Sequence, residues 1–425
     1  MHKRHAPRRT VQPTLIGLFV LLLSSGSQAD PFTPGNLVVY RVGDGLTTLV
    51  HSGNAVFLDE YTPDGTLVQS IGLPTVASGA NNPLVASGTA VSEGLLTRST
   101  DGRYLVLTGY ASTTADGSPI SSTAAAMIPR TVGRVGFDGG IDTSTALTDF
   151  ADANNPRSAV STDGTSLWVG GADGGVRYTT LGSATSTQLS LDSKNIRQVN
   201  IFDGQLYMSS QKTSLRVATV GTGTPTNPGQ SITNLPGFPT SGAPNAFFFA
   251  DLDGSPGVDT LYVADDTTSG GEIEKHSLVG GNWIASGVIA AAIVHGLTGA
   301  VSGTTVTLYA TTSGTDGTSG TLYTFTDTTG YDEIVSGAAL TLATAISSEA
   351  FRGVALAPIG PATAACVGDC SGQGQVGVAD LITMGNITLG ISPLSTCTAG
   401  DGDHNGKITV DEILLAVNHA LSGCD

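Results

Sequence analysis

The chain has 425 residues, a formal net charge of −17 and only 12% charged residues, about half the usual share. Gly fills 57 positions, roughly twice the usual frequency. Abundant Gly, Ser and Thr exclude a helical bundle, because these are poor helix-interior residues, and an acidic surface excludes a nucleic-acid binder, because it repels phosphate. With 40% hydrophobic residues the chain can bury a core, and the composition points to a turn-rich all-β protein.

Residues 1–29 read as a secretory signal. Lys3, Arg4, Arg8 and Arg9 precede an apolar run from Leu15 to Leu23, and small residues Ser27 and Ala29 follow. The run is too short for a spanning helix, which needs about 20 residues. Cleavage near Ala29 leaves 14 Lys+Arg against 35 Asp+Glu, a net of −21. The mature chain is thus expected outside the cytoplasm, secreted or periplasmic, with no membrane span. Its four cysteines, Cys366, Cys370, Cys397 and Cys424, all lie near the C-terminus. Such clustering marks a small separate domain that needs covalent staples.

Residues 30–358 read as one β domain. Short apolar runs such as Leu37–Val42, Tyr104–Thr108, Ser166–Val169 and Thr260–Val263 alternate with turns. Asp101-Gly102, Asp163-Gly164 and Asp203-Gly204 are hairpin signals between such runs. The runs recur in units that begin near Glu93, Arg157, Arg197, Asn245, His295 and Arg352, at spacings of 40 to 64 residues. Units of about 40–50 residues with several strands each indicate propeller blades. Ala111–Pro129 is an insertion expected to form a long hairpin loop. The last copy, Phe351–Pro358, is one strand long, and the chain starts mid-unit with Leu37–Val42, Val56–Tyr61 and Leu67–Leu73. Joining the two ends completes one blade and leaves no open edge. Six blades are expected, with seven as the other count and a β-sandwich or paired β domains as the other architecture.

Aligning the units places Glu93, Arg157, Arg197, Asn245, His295 and Arg352 just before the innermost strands, around one mouth of the channel. Three arginines in an acidic protein suit a preorganised anion or carboxylate site, with a small anionic ligand or a carbohydrate as the expected channel partner; hydrogen bonds that merely close the channel are the other reading. Catalytic motifs are mostly absent: there is no Gly-x-Ser-x-Gly, no His-Glu-x-x-His and no P-loop lysine. Gly372–Gly377 matches Gly-x-Gly-x-x-Gly but follows no strand of a βαβ unit. Six-bladed propeller lactonases hold a metal with Glu, Asn and Asp; Glu93 and Asn245 resemble part of that set, while the three arginines oppose a central cation.

One loop carries alternating oxygens at Asp251, Asp253, Ser255, Gly257 and Asp259. It resembles the calcium loops of FG-GAP repeats in integrin-type propellers. That resemblance implies side-chain ligands at Asp251, Asp253, Ser255 and Asp259 and a backbone oxygen at Gly257. Ser255 stands where an acid is usual, so weaker binding is implied.

Residues 359–365 read as a Pro/Ala linker, and residues 366–425 hold two copies of one pattern. The second, Asp401–Glu412, is Asp-x-Asp-x-Asn-Gly with Glu at its twelfth position, the EF-hand loop. Ca²⁺ takes about six to eight oxygens. Asp401, Asp403 and Asn405 offer side chains, Lys407 its carbonyl, Thr409 its hydroxyl or a water, and Glu412 two oxygens. The first copy offers Asp369, Ser371, Gln373, the Gln375 carbonyl and Asp380, with neutral Ser371 and Gln373 weakening it. Each loop leads into a helix, with apolar faces at Leu381, Met384, Ile387 and Leu389, and at Ile413, Val417 and Leu421.

Paired loop–helix units 32 residues apart resemble the type I dockerin modules of secreted bacterial proteins. The resemblance implies calcium-dependent folding and docking to a cohesin or a cell-surface protein. Val378, Ala379, Val410 and Asp411 depart from the Ser/Thr pattern that dockerins use for partner choice. Four cysteines allow three pairings. If the module's ends meet, as in dockerins, Cys366–Cys424 clasps them and Cys370–Cys397 ties the first loop to the approach of the second. The expected function is an exported calcium-binding protein, more a binding platform than an enzyme, whose tail anchors or assembles it. The alternative is a secreted lactonase or polysaccharide-degrading hydrolase carried by the same tail.

Overall fold

The structure is a computed structural model, and it describes residues 1–2, 29–114, 117–212, 214–266, 271–312, 318–360, 366–372, 374–402 and 405–424. Most of the expected signal segment, most of the linker, and the ligand candidates Gln373 and Asp403 lie outside the described residues. The chain is mostly β, with a propeller-like ring of sheets and two C-terminal helices. No described helix is long and apolar enough to cross a membrane.

Both chain ends of the β region share one sheet. Ala350–Leu356 pairs with Leu37–Val42, which pairs with Gly53–Tyr61, which pairs with Leu67–Gly72, all antiparallel. This is the closure expected from the half-unit at each end. Val85–Ser87 then links Gly53–Tyr61 to a group formed by Thr97–Arg98, Tyr104–Tyr110, Arg130–Gly136 and Ile141–Leu147, so hydrogen bonding joins both groups into one nine-stranded sheet. Ala111–Pro129 connects the antiparallel pair Tyr104–Tyr110 and Arg130–Gly136, so it is the hairpin loop expected of it.

Three of the four remaining sheets are meanders of four strands, beginning at Pro156, Val199 and Val294. The other, beginning at Pro244, adds Val335–Ala338 in parallel beside Asn282–Ala290. The Asp203-Gly204 turn lies between Val199–Phe202 and Gln205–Ser209, with φ of 45° and 69°. Positive φ at both central residues is what a type I′ hairpin requires, and Gly accepts it at little cost.

The strands explain where so much of the apolar chain goes. Successive side chains of a strand point to opposite faces. In Leu37–Val42, Leu37 and Val39 enter one core, while Val38, Tyr40 and Val42 enter the next. Phe247 and Phe249 likewise enter one core and Ala246 and Ala250 its neighbour. Both faces of each sheet are thus buried against the sheets before and after it, and the sequence of cores returns to its start where Phe351 and Val354 meet Tyr309 and Leu322.

Innermost strands diverge too far for continuous backbone pairing, so side chains span the gaps. Thr97 Oγ1 donates to the Ala159 carbonyl at 2.6 Å, and the Val199 amide donates to Ser158 Oγ at 2.9 Å. The Phe247 amide donates to Gln198 Oε1 at 2.7 Å, and Thr311 Oγ1 donates to the Arg352 carbonyl. Part of the Ser/Thr excess is therefore seated between sheets.

Candidate functional site

Of the six residues expected at one channel mouth, Glu93, Asn245, His295 and Arg352 line one small cavity, and not all six precede a strand. Arg157, Asn245, His295 and Arg352 lie inside innermost strands, Arg197 two residues before one, and Glu93 in the loop ahead of Thr97. Five are buried and Arg197 is half-buried. The Glu93 carboxylate accepts from the Ser87 amide at 2.6 Å, Tyr110 Oη at 2.8 Å and Asn155 Nδ2 at 2.8 Å. Arg157 Nη1 donates to Asn195 Oδ1 at 2.7 Å, and Arg197 donates to Gln211 Oε1. Gln211 Nε2 in turn donates to Asn245 Oδ1 at 3.2 Å, and His295 Nε2 stands 3.3 Å from Asp266 Oδ2.

Burial dominates the electrostatics of this cluster. It raises the Glu93 carboxyl, against the opposing pull of Asn155, Tyr110, Arg352 and Ser87. Desolvation, then the neighbouring Arg197 charge, lowers Arg157 to about 9. The Nε atoms of Arg157 and Arg197 are buried without a hydrogen-bond partner. The cavity between Glu93, Leu95, Asn245, His295 and Arg352 is only about 10 Å³, room for about one water. As these side chains stand, an organic ligand does not fit among them.

The other end of the ring is open. A cavity of about 520 Å³ is lined by residues from all six innermost strands or the turns that follow them, including Arg98, Thr162, Asn200, Phe248, Thr298 and Leu356. Sequence reasoning missed this end because it aligned the units on the residues before their first strands. Aligning the ends of those strands would have brought Arg98, Asn200 and Thr298 together.

The Asp251–Asp259 loop joins Pro244–Ala250 to Thr260–Asp265. Carboxylate oxygens of Asp251, Asp253 and Asp259 lie within 4.8 Å of one another. Asp259 is buried and accepts from the Leu252 amide at 2.9 Å, the Asp253 amide at 2.7 Å and Thr260 Oγ1 at 2.7 Å. These bonds fix one carboxylate while Asp251 and Asp253 remain exposed. The donor set is oxygen only, the type a hard cation takes; the exposed Asp251 and Asp253 carboxylates keep acceptor capacity, while both Asp259 oxygens already accept from Leu252, Asp253 or Thr260. Ser255 is exposed, and Gly257 has a φ of 112°.

The two C-terminal loops share one internal bonding pattern. Asp401 accepts from the Asn405 amide at 3.0 Å and the Gly406 amide at 2.8 Å, and Asp369 accepts from the Gly374 amide at 2.6 Å. At the far end, Glu412 accepts from the Gly402 amide at 2.6 Å and the Thr409 amide at 2.7 Å. Asp380 accepts from the Ser371 amide at 3.0 Å and the Gly377 amide at 2.8 Å. Asp380, Asp401 and Glu412 are all buried. First and last carboxylates therefore turn inward in both loops, an arrangement whose oxygens fit Ca²⁺. Lys407 and Gln375, whose carbonyls were the remaining candidates, are exposed at their side chains.

Helix α1 spans Val378–Thr388 and α2 spans Val410–Ser422. Met384 and Ala416 are fully buried at their crossing, and Leu381, Ile387, Ile413 and Val417 are partly buried. Leu389 and Leu421, expected on the apolar faces, are 75% and 82% exposed. Two short helices cover only the stripe at their crossing, so positions one or two turns away stay outside. Disulfides join Cys366 to Cys424 and Cys370 to Cys397, with Cα separations of 5.3 and 4.5 Å. This is the pairing expected if the module's ends meet.

No family model and no curated protein matches the chain. Among solved structures it is similar to TolB from Acinetobacter baumannii, with 12% identity over 76% of this chain and 67% of that one at a TM-score of 0.45. A chain of a nidogen/laminin complex shows 11% identity over 76% of this chain and 98% of that one, TM-score 0.41. The Dos1 propeller shows 13% identity over 56% of this chain and 60% of that one, TM-score 0.37. At these values no function or site carries over, and the ring rests on this chain's own strand pairing.

Proposed function

We propose that this is an exported calcium-binding protein in which a six-bladed propeller is a ligand or protein binding platform and a dockerin-like paired EF-hand module anchors or assembles it. Six sheets' worth of four strands, each starting at an innermost strand, support that blade count. The observation that carries the calcium reading is the matched turning of Asp369 with Asp380 and of Asp401 with Glu412 into their loops. The complete acid set makes Asp401–Glu412 the stronger seat, and the Asp251–Asp259 loop is a further, weaker one. Bound calcium supplies charge neutralisation for carboxylates that would otherwise repel one another at close range.

Docking is supported by apolar positions repeated across the two helices. Val378 and Val410, Ile382 and Leu414, and Leu389 and Leu421 are all exposed, each pair 32 residues apart. Such a two-fold apolar surface suits a cohesin-like or cell-surface partner. Calorimetric melting of the mature chain tests the calcium reading. Added calcium is expected to raise a Tm that EDTA lowers, and Glu412→Gln is expected to remove most of that shift. An identical melt with calcium and with EDTA would refute it.

A further inference from the structure

We propose that the open end of the ring binds a sugar acid, a polyhydroxylated ring carrying one carboxylate, held between Arg98 and the Phe202–Phe248 pair. The proposal rests on the reading of the ring as a binding platform and gives that platform its site and ligand class. The 520 Å³ cavity falls within the range of about 300–1,000 Å³ usual for small-molecule sites.

Charge selects the carboxylate. Arg98 is half-buried at the cavity wall, and its Nη1 donates to the Ala357 carbonyl at 3.1 Å. Among the described residues no carboxylate stands within ion-pair distance of it. Partly desolvating a guanidinium without a counter-charge is unfavourable, and burial alone lowers its pKa. A ligand carboxylate meets the planar fork in two parallel bonds. Asp203, exposed on the same cavity's rim, disfavours more highly charged anions.

Hydroxyls and a ring face complete the match. Asn200 Oδ1 accepts from the Ile201 amide at 2.9 Å, which leaves its amide nitrogen without a protein acceptor among the described residues. The hydroxyls of Thr162 and Thr298 carry no protein hydrogen bond there either, and both line the cavity. Phe202 and Phe248 meet edge to face with centroids 5.8 Å apart. Gly299 on the neighbouring strand makes room for this ring, since a Cβ there would lie 2.7 Å from Phe248. The C–H face of a sugar suits such a surface. An inorganic anion would leave both rings uncovered, and a neutral sugar would leave Arg98 uncompensated.

Isothermal titration of the full mature chain with D-glucuronate, D-glucose and sodium sulfate tests this. Glucuronate is expected to bind at least about tenfold more tightly than glucose or sulfate, the scale of one charge-assisted hydrogen bond. Arg98→Gln and Phe248→Ala should each weaken it about tenfold or more, and Thr298→Ala, a milder change, should weaken it less. Melting curves establish that each variant is folded, and the Thr298 variant keeps the test open should Arg98→Gln unfold. Ile334→Ser, an exposed change outside the cavity's lining, should leave glucuronate binding unchanged. Equal binding of glucose and glucuronate, or full affinity in Arg98→Gln, overturns the site while the platform reading stands. No binding of any probe, with the calcium-dependent melt intact, overturns the sugar-acid proposal and leaves the calcium reading untouched.

Discussion

Lys275 and Asp327 form an ion pair of 3.0 Å between two neighbouring sheets, with side chains 0% and 1% exposed. The ammonium also donates to Thr329 Oγ1 at 2.8 Å and to the carbonyls of Gly330 at 2.6 Å and Glu333 at 3.1 Å. Tyr262 Oη donates to the same Asp327 oxygen at 2.6 Å. Every strong donor and acceptor is thus matched, which is the condition under which a buried pair is tolerated. Removing one partner strands the other charge. Lys275→Met is expected to cost about 3–5 kcal/mol, while Lys275→Met with Asp327→Leu together should cost less than the single change. Denaturant unfolding of the two variants beside the native chain checks this; a loss below about 1 kcal/mol in Lys275→Met would contradict it.

Gly353 and Gly296 set the seam where the ring closes. A Cβ at Gly353 would lie 2.2 Å from the Leu96 amide nitrogen and 2.7 Å from the Gly94 carbonyl oxygen. A Cβ at Gly296 would lie 2.9 Å from the Arg352 carbonyl oxygen. Backbone cannot yield as a flexible side chain can, so Gly353→Ala is expected to destabilise by about 1–3 kcal/mol. Gly204→Ala, in an open turn with nothing within 4 Å of its Cβ, strains only its own backbone. Thermal melting of both variants is the measurement, and equal losses would remove the seam argument.

Much of the ring was legible because its signals are local. Asp-Gly pairs between apolar runs mark hairpins, and a half-unit at each end of the β region leads to the shared sheet of Ala350–Leu356 and Leu37–Val42. Contacts between sheets were not legible. Lys275 and Asp327 stand 52 residues apart, and nothing in either local pattern links them. The open end of the ring was not legible for a related reason: polar residues before the strands stand out in a charge-poor sequence, yet polarity does not distinguish a closed cluster such as Glu93–Tyr110–Asn155 from an open pocket. In the C-terminal loops the carboxylates were legible from spacing alone, because twelve residues suffice to bring Asp401 and Glu412 onto one loop. The exposure of Leu389 and Leu421 depends on how much surface two short helices can cover, which periodicity does not convey.

The paired disulfides should carry much of the small module's stability. They close loops with sequence separations of 58 and 27 residues, each expected to contribute about 3–5 kcal/mol in the chain-entropy account. Few large apolar side chains are buried there, chiefly Val376, Met384 and Ile408. Reduction under native conditions is therefore expected to lower the melting of the C-terminal module and leave the ring's transition in place. Calorimetry with and without reductant, in calcium-free buffer, checks this. A reductant-insensitive scan would show that the helices and loops hold without their staples.

Glu93 makes a pH signature that can be assigned to one residue. Burial raises its pKa above the ordinary 4.5, so the folded state holds this proton more tightly than the unfolded state does. Stability therefore falls as pH rises from the ordinary carboxyl value through the folded value. Arg352 opposes the rise, while Tyr40, Tyr110, Arg130 and Arg157 surround the same carboxyl. Asp266 and Asp327 are shifted downward and act in the opposite sense, gaining stability as pH rises through their lowered values. The useful quantity is thus the difference between the native chain and Glu93→Gln, in which the other groups largely cancel. From about pH 4 to 7 the native chain is expected to lose stability relative to Glu93→Gln, as measured by denaturant unfolding at each pH. A constant difference across that range would mean that Glu93 is ionised as readily in the folded state as in the unfolded one, with Asn155, Tyr110 and Arg352 fully offsetting its burial.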